Sequence, residues 1–116
     1  MKKTIVFTAL LSSAATYALT QVTNMPTQIK LENARARVSE VTYPPGKARE
    51  RYIRPTDQII VFLDESRYER KDSATGEKTI RERKSGDVIW HDKGEDAPQL
   101  TNLGSRPYRT LVIELK

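Results

Sequence analysis

Outside the amino-terminal stretch, five bulky apolar residues stand together only once, at the end of Thr56-Asp57-Gln58-Ile59-Ile60-Val61-Phe62-Leu63. Pro55 opens this run and Asp64-Glu65-Ser66 closes it, which makes it too short for an ordinary helix and right for a strand covered on both faces. Shorter, more polar strands are expected to pack around it. Ile29 to Leu31 reads as a short strand. Ala34 to Tyr43 reads as a longer one in two phases, Ala34, Ala36 and Val38 on one face and Val41 and Tyr43 on the other, which predicts a bulge near Ser39-Glu40. Pro44-Pro45-Gly46 is a turn, and Lys47 to Arg54 alternates like a strand with little apolar content. Arg67 to Lys71 and Lys78 to Arg83 form a hairpin around a small polar loop containing Gly76, its charges read as a solvated face with cross-strand ion pairs. A turn at Lys84-Ser85-Gly86-Asp87 leads into Val88-Ile89-Trp90. Beyond the polar loop His91 to Asp96, Pro98 to Leu103 and Tyr108 to Leu115 complete the pattern around a turn at Gly104 to Pro107. No segment has the period of an amphipathic helix. Short strands at regular spacing predict an all-β sandwich or barrel in one domain, residues 28–116.

The amino terminus follows a different pattern. Lys2 and Lys3 precede a mostly apolar or small stretch from Ile5 to Ala15, and Thr16-Tyr17-Ala18 offers small residues where a signal peptidase reads. This predicts a helical signal peptide over 1–18, cut after Ala18, a flexible leader over 19–27, and a periplasmic or secreted protein. Ser, Thr, Gln and Asn after Leu11 dilute the stretch below what a spanning helix needs, so no stable membrane insertion is expected. Without Lys2 and Lys3 the basic count falls from 20 to 18 against 15 acids, and the net charge from +5 to +3. The remaining charges are interspersed, which argues against nucleic acid as a partner. With no cysteine, disulfides and thiolate metal sites are excluded and the domain relies on its own core.

Two stretches match a known pattern in order and spacing. Gly46 through Arg54-Pro55 and the core strand resemble the first motif of the cupin superfamily, and Gly86-Asp87-Val88-Ile89-Trp90 through Gly94 to Asn102 resembles the second. Ala34 to Gly46 is similar to the opening of small single-domain cupins, and Asn102-Leu103-Gly104 with Pro107 to their closing turn. The resemblance spans the domain. It implies a cupin-type jelly-roll barrel of two antiparallel sheets, a small-molecule pocket in its mouth, and a homodimer.

In metal-binding cupins the first motif supplies two His and a Glu, and the second a third His. The corresponding positions here hold Tyr52, Arg54, Gln58, and Ala97 or Pro98. All four ligands are replaced, one of them by a permanent cation that repels metals, so neither the usual metal site nor any cofactor is expected. Tyr52, Arg54 and Gln58 would point into the barrel, where a buried guanidinium needs a partner: an internal acid, with Asp57, Asp92 and Asp96 as candidates, or an anionic ligand gripped by its planar fork. His91 is the only His. Beside Trp90 and Asp92 it reads either as a surface residue or as a general acid or base at the pocket mouth. Trp90 is a candidate ligand-stacking residue, with core as its plainer reading. These residues describe an exported binding or assembly module for a small, anionic ligand, with enzymatic activity not required. The alternative is a metal-independent isomerase, epimerase or lyase of sugars or organic acids using His91, Tyr52 and Arg54.

Overall fold

The computed structural model describes residues 24–116, and the signal-peptide and cleavage expectations lie outside them. Eleven strands follow in order: β1 Thr27–Glu32, β2 Ala36–Tyr43, β3 Ala48–Arg49, β4 Tyr52–Ile53, β5 Asp57–Phe62, β6 Ser66–Lys71, β7 Lys78–Arg83, β8 Val88–His91, β9 Asp96–Ala97, β10 Gln99–Asn102 and β11 Tyr108–Leu115. They form a five-stranded sheet β1-β2-β11-β5-β8 facing a four-stranded sheet β3-β10-β6-β7, with β4-β9 as a two-stranded ribbon. Every strand pair is antiparallel. The all-β two-sheet barrel expected from the turn spacing is thus the structure.

Alternation places the side chains. On β5, Gln58, Ile60 and Phe62 are buried between the sheets while Ile59 and Val61 are only partly covered on the outer face. β11 pairs with β2 and β5 in unbroken register, so inward residues line up in rows. Tyr43 and Tyr108 form one row; Val41, Thr110 and Phe62 the next; Ser39, Val112, Ile60 and Ile89 the third; Arg37, Glu114, Gln58 and His91 the last. The core gathers at the aromatic end, where the Tyr43 and Tyr108 rings stack with centroids 4.6 Å apart and Phe62 and Tyr68 close over them. Polarity rises along the rows toward the other end.

Three local expectations are corrected. No bulge interrupts β2 at Ser39-Glu40; the irregularity lies on β1, where Ile29 pairs with Ser39 and Leu31 with Val38. The two apolar phases of β2 are simply its two faces, because Val38 joins an apolar row on the outer side. Residues 24–27, read as leader, belong to the domain: Met25 is in the core, and Asn24 donates from Nδ2 to the Ala48 carbonyl and accepts from the Glu50 N–H. Trp90 is not core. It stands 51% exposed on the outer face, opposite Ile59, with Nε1 donating to Asp92.

Turn chemistry fixes the rims. Gly46 takes φ +74°, a conformation L side chains rarely adopt, and its N–H reaches the Asn102 carbonyl at 2.9 Å. Gly94 takes φ +85° and donates to the Arg54 carbonyl, while the Arg54 N–H donates to the Glu95 carbonyl. The loop carrying Glu95 is thereby tied to the backbone of Arg54.

Candidate functional site: an arginine-lined barrel cavity

Between the sheets lies a cavity of about 300 Å³, at the lower end of the range for small-molecule sites. Tyr52, Arg54, Gln58 and His91 all line it, and Trp90 does not. Four of the residues singled out from sequence are therefore brought together. Trp90 is separated from them because it alternates with His91 on β8 and so faces outward.

β4 pairs Tyr52 with Ala97, so the four positions at which metal ligands were sought do converge. Their chemistry does not fit a divalent cation. Arg54 is 5% exposed, and its Nη1 donates to Gln58 Oε1 at 2.8 Å and to the Tyr52 hydroxyl at 3.3 Å. A guanidinium occupies the centre of the would-be donor set, and none of these side chains is an imidazole or carboxylate. Among the described residues no cluster of three or more His, Asp or Glu is placed to hold a metal ion.

The acid facing Arg54 is not one of the three foreseen. Asp57 accepts from the Lys93 N–H, Asp92 from Trp90, and Asp96 from Ser73 and Arg51. Glu95 comes closest, with Oε2 3.8 Å from Arg54 Nε, too far for a hydrogen bond. Burial, together with the nearby Arg49 charge, lowers the Arg54 pKa against the opposing influence of Tyr52 and Glu95.

Sequence reasoning missed further cations. Arg49, also 5% exposed, donates to the Tyr43 hydroxyl and the Pro98 carbonyl and lies 5.4 Å from the centre of the Tyr52 ring. Arg70, Arg81 and Arg83 reach the same cavity from the β6-β7 hairpin. Read in sequence, that hairpin is a solvated charged face. Half of it is: Arg67 meets Glu82 at 3.6 Å and Lys78 meets Glu69 at 3.7 Å. The available signal was the period of two, which puts Arg81 and Arg83 on one face of β7 and Glu82 on the other.

Opposite these five arginines the lining holds one carboxyl group, Glu114. Burial raises its pKa, opposed by Arg37, whose Nη1 is 3.9 Å away, and Glu114 Oε2 has no hydrogen-bond partner. A carboxyl whose folded pKa is raised favours folding fully below its ordinary value of 4.5, and that contribution is lost as pH rises through the folded pKa. Glu114→Gln should therefore melt on the order of 5 °C above the parent at pH 8, with the gap closing below pH 4.5. Equal melting temperatures at both pH values would remove the buried-acid reading.

His91 closes the polar row. Nδ1 contacts Glu95 Oε2, and burial together with the Arg54 charge lowers its pKa although Glu95 opposes the shift. In its neutral form the ring would donate from Nδ1 to Glu95 and leave Nε2 as an acceptor.

At the level of sequence, no family model and no curated protein matches the chain. Solved structures do. A cupin domain from Bordetella pertussis Tohama I superposes with a TM-score of 0.70 at 16% identity, over 79% of this chain and 93% of that one. The fold is that of the cupins. Other cupin-fold neighbours are the polyketide cyclase RemF from Streptomyces resistomycificus, at TM-score 0.62 and 16% identity over 77% of this chain and 63% of that one, and the DMSP lyase DddQ from Ruegeria pomeroyi, at TM-score 0.58 and 19% identity over 79% and 47%. Within this cupin barrel the inward positions of β4 and β5 carry an arginine and an amide, and the cavity is cationic.

Proposed function

We propose that this cupin barrel is an exported, metal-independent binding module for a small organic anion, with Arg54 and Arg49 as its anchors. The observation that carries the reading is the imbalance of charge: among the described residues, five arginines line the cavity with a single carboxyl group. Buried charges are ordinarily paired. Here the Nε atoms of Arg49 and Arg54 and the side-chain hydroxyl oxygens of Ser39 and Thr110, all on the lining, have no hydrogen-bond partner among the described residues. An anion with two or more acceptor oxygens would satisfy those donors through the planar guanidinium forks. Isothermal titration of the purified domain with short-chain carboxylates tests this. Saturable binding that weakens with salt supports it, and no heat with any carboxylate would end it.

A second reading rests on His91. An imidazole held by Glu95 at the wall of an anion pocket is arranged as a general base, and two fold neighbours are named as a cyclase and a lyase. Under this reading the barrel is a metal-independent isomerase, epimerase or lyase with Arg54 and Tyr52 holding the substrate. Turnover of a bound anion that His91→Gln abolishes while binding survives would select it over the binding module.

The homodimer belongs to the same proposal. Register sets Leu31, Val38, Ile113, Ile59 and Trp90 side by side across the outer face of the five-stranded sheet, with Leu111, Val61 and Val88 in the adjoining row. The row reads as apolar in both directions from Ile113, so a two-fold axis there would stack it on its own copy. Light scattering after size exclusion should give twice the chain mass, and Ile113→Asp with Trp90→Glu should halve it. A parent protein that elutes as a monomer would exclude the dimer.

A further inference from the structure

The arginines of the cavity form two groups rather than one. β10 lies between β3 and β6, with Leu100 paired to Arg49 on one side and to Arg70 on the other. Neighbouring strands are about 4.8 Å apart, which puts the Arg49 and Arg70 backbones about 10 Å from each other. Arg81 is one strand further out, paired with Tyr68, and Arg83 with Ser66. The first group, Arg49 and Arg54, is buried beside Tyr52. The second, Arg70, Arg81 and Arg83, sits on the edge hairpin, where Arg81 is exposed and the other two are half-buried. Leu100 and Tyr68 lie between the groups.

The second group is as short of carboxylates as the first. None of Arg70, Arg81 and Arg83 forms an ion pair among the described residues. Asp72 and Asp96 feel the charge of Arg70, but the first is held by the backbone of Ala74 and Thr75 and the second by Arg51 and Ser73. Arg83 is steadied by a 3.4 Å hydrogen bond from Nε to the Tyr68 hydroxyl and by the Phe62 ring. This leaves its terminal nitrogens as donors.

The geometry points to a dianionic ligand, two acidic groups joined by a short hydrocarbon body, one held by Arg49 and Arg54 inside the barrel and the other by Arg70, Arg81 and Arg83 at its edge. This rests on the anion-binding reading and adds the second pole to it. A monoanion would leave one group of like charges unneutralised about 10 Å from the other. A diacid neutralises both, and its methylenes cover Leu100 and Tyr68.

Titration of matched pairs separates the cases: butyrate against succinate, hexanoate against adipate, octanoate against suberate, with hexane-1,6-diol bisphosphate in parallel to tell phosphate from carboxylate. At one chain length the diacid should bind at least tenfold more tightly than its monoacid, and Arg81→Gln with Arg83→Gln should remove that preference by lowering diacid affinity at least tenfold more than monoacid affinity. Preference for the bisphosphate over every dicarboxylate carries the same proposal with phosphate as the acidic group. Equal affinity for monoacid and diacid at every length would overturn it, as would a preference that survives the double substitution. If neither monoacid nor diacid binds, the anion reading beneath it falls as well. Arg81 is exposed on an edge strand while Arg83 touches Tyr68 and Phe62, so Arg81→Gln alone, which leaves the core intact, is titrated in parallel and should reduce the preference; an unchanged melting temperature confirms that each variant is folded.

Discussion

Replacing Arg54 by Met will weaken anion binding while leaving the barrel folded, with affinity for the best carboxylate falling by about two orders of magnitude. A hydrogen bond to a charged group contributes about 1.5–3 kcal/mol, and truncating one side of a buried charge pair about 3–5 kcal/mol. Two orders of magnitude correspond to about 2.7 kcal/mol. Stability should move the other way. In the unliganded barrel Arg54 is buried near Arg49 with no acid in hydrogen-bond range, so Met of comparable length removes a desolvated cation and fills its space. Its former acceptors, Gln58 Oε1 and the Tyr52 hydroxyl, face a cavity that admits water. The expected result is an equal or higher melting temperature with binding weakened. A variant that unfolds would assign Arg54 to the structure, and one that binds as before would remove it from the site.

The second large effect falls on stability alone. Asn102 is 2% exposed and joins two turns at the aromatic end of the barrel: Nδ2 donates to the Tyr43 carbonyl at 2.9 Å and to the Arg106 carbonyl at 2.8 Å, and Oδ1 accepts from the Gly104 N–H at 2.8 Å. Its own carbonyl takes the Gly46 N–H. Asn102→Ala strips three hydrogen bonds from backbone groups that water reaches poorly. At about 1 kcal/mol for each bond, more where the abandoned group stays buried, the loss is about 3 kcal/mol or above. In a domain of this size that lowers the melting temperature by roughly 12–24 °C. Asn102→Asp keeps the acceptor but loses both donations, and should recover only part of the difference. A shift of less than about 5 °C for Ala would show that these backbone groups find other partners.

The fold was legible because its signals are local. The turns at Gly46, Gly76, Gly86 and Gly94 need positive φ, and the five apolar residues ending at Leu63 mark a central strand, although only its inner residues Ile60 and Phe62 are buried and the outer face, expected to be covered as well, is only partly so. Tyr108–Leu115 was read with the observed bounds because its alternation is unbroken. The convergence of Tyr52, Arg54, Gln58 and His91 came from motif order together with the period-two rule. Trp90 failed by that same rule: it is one residue from His91 and so on the opposite face, a parity that a list of nearby candidate residues ignores.

By itself the sequence determined most of the longer strands, where the chain turns, and that no imidazole or carboxylate stands at the positions of the usual metal ligands. These are matters of backbone preference and side-chain identity, settled within a few neighbouring residues. The split of Lys47 to Arg54 into β3 and β4 and the strand at Asp96–Ala97 were not read from the sequence. Only the tertiary structure decided that the arginines of β6 and β7 share a cavity with Arg49 and Arg54, that Glu95 rather than an aspartate faces Arg54, and that β2 is apolar on both faces without a bulge. Each of those depends on which strand lies opposite which. Pairings such as Leu100 with both Arg49 and Arg70 join residues some fifty and thirty positions away along the chain, and charge patterning within one hairpin cannot show which of its faces will meet another cation across a barrel.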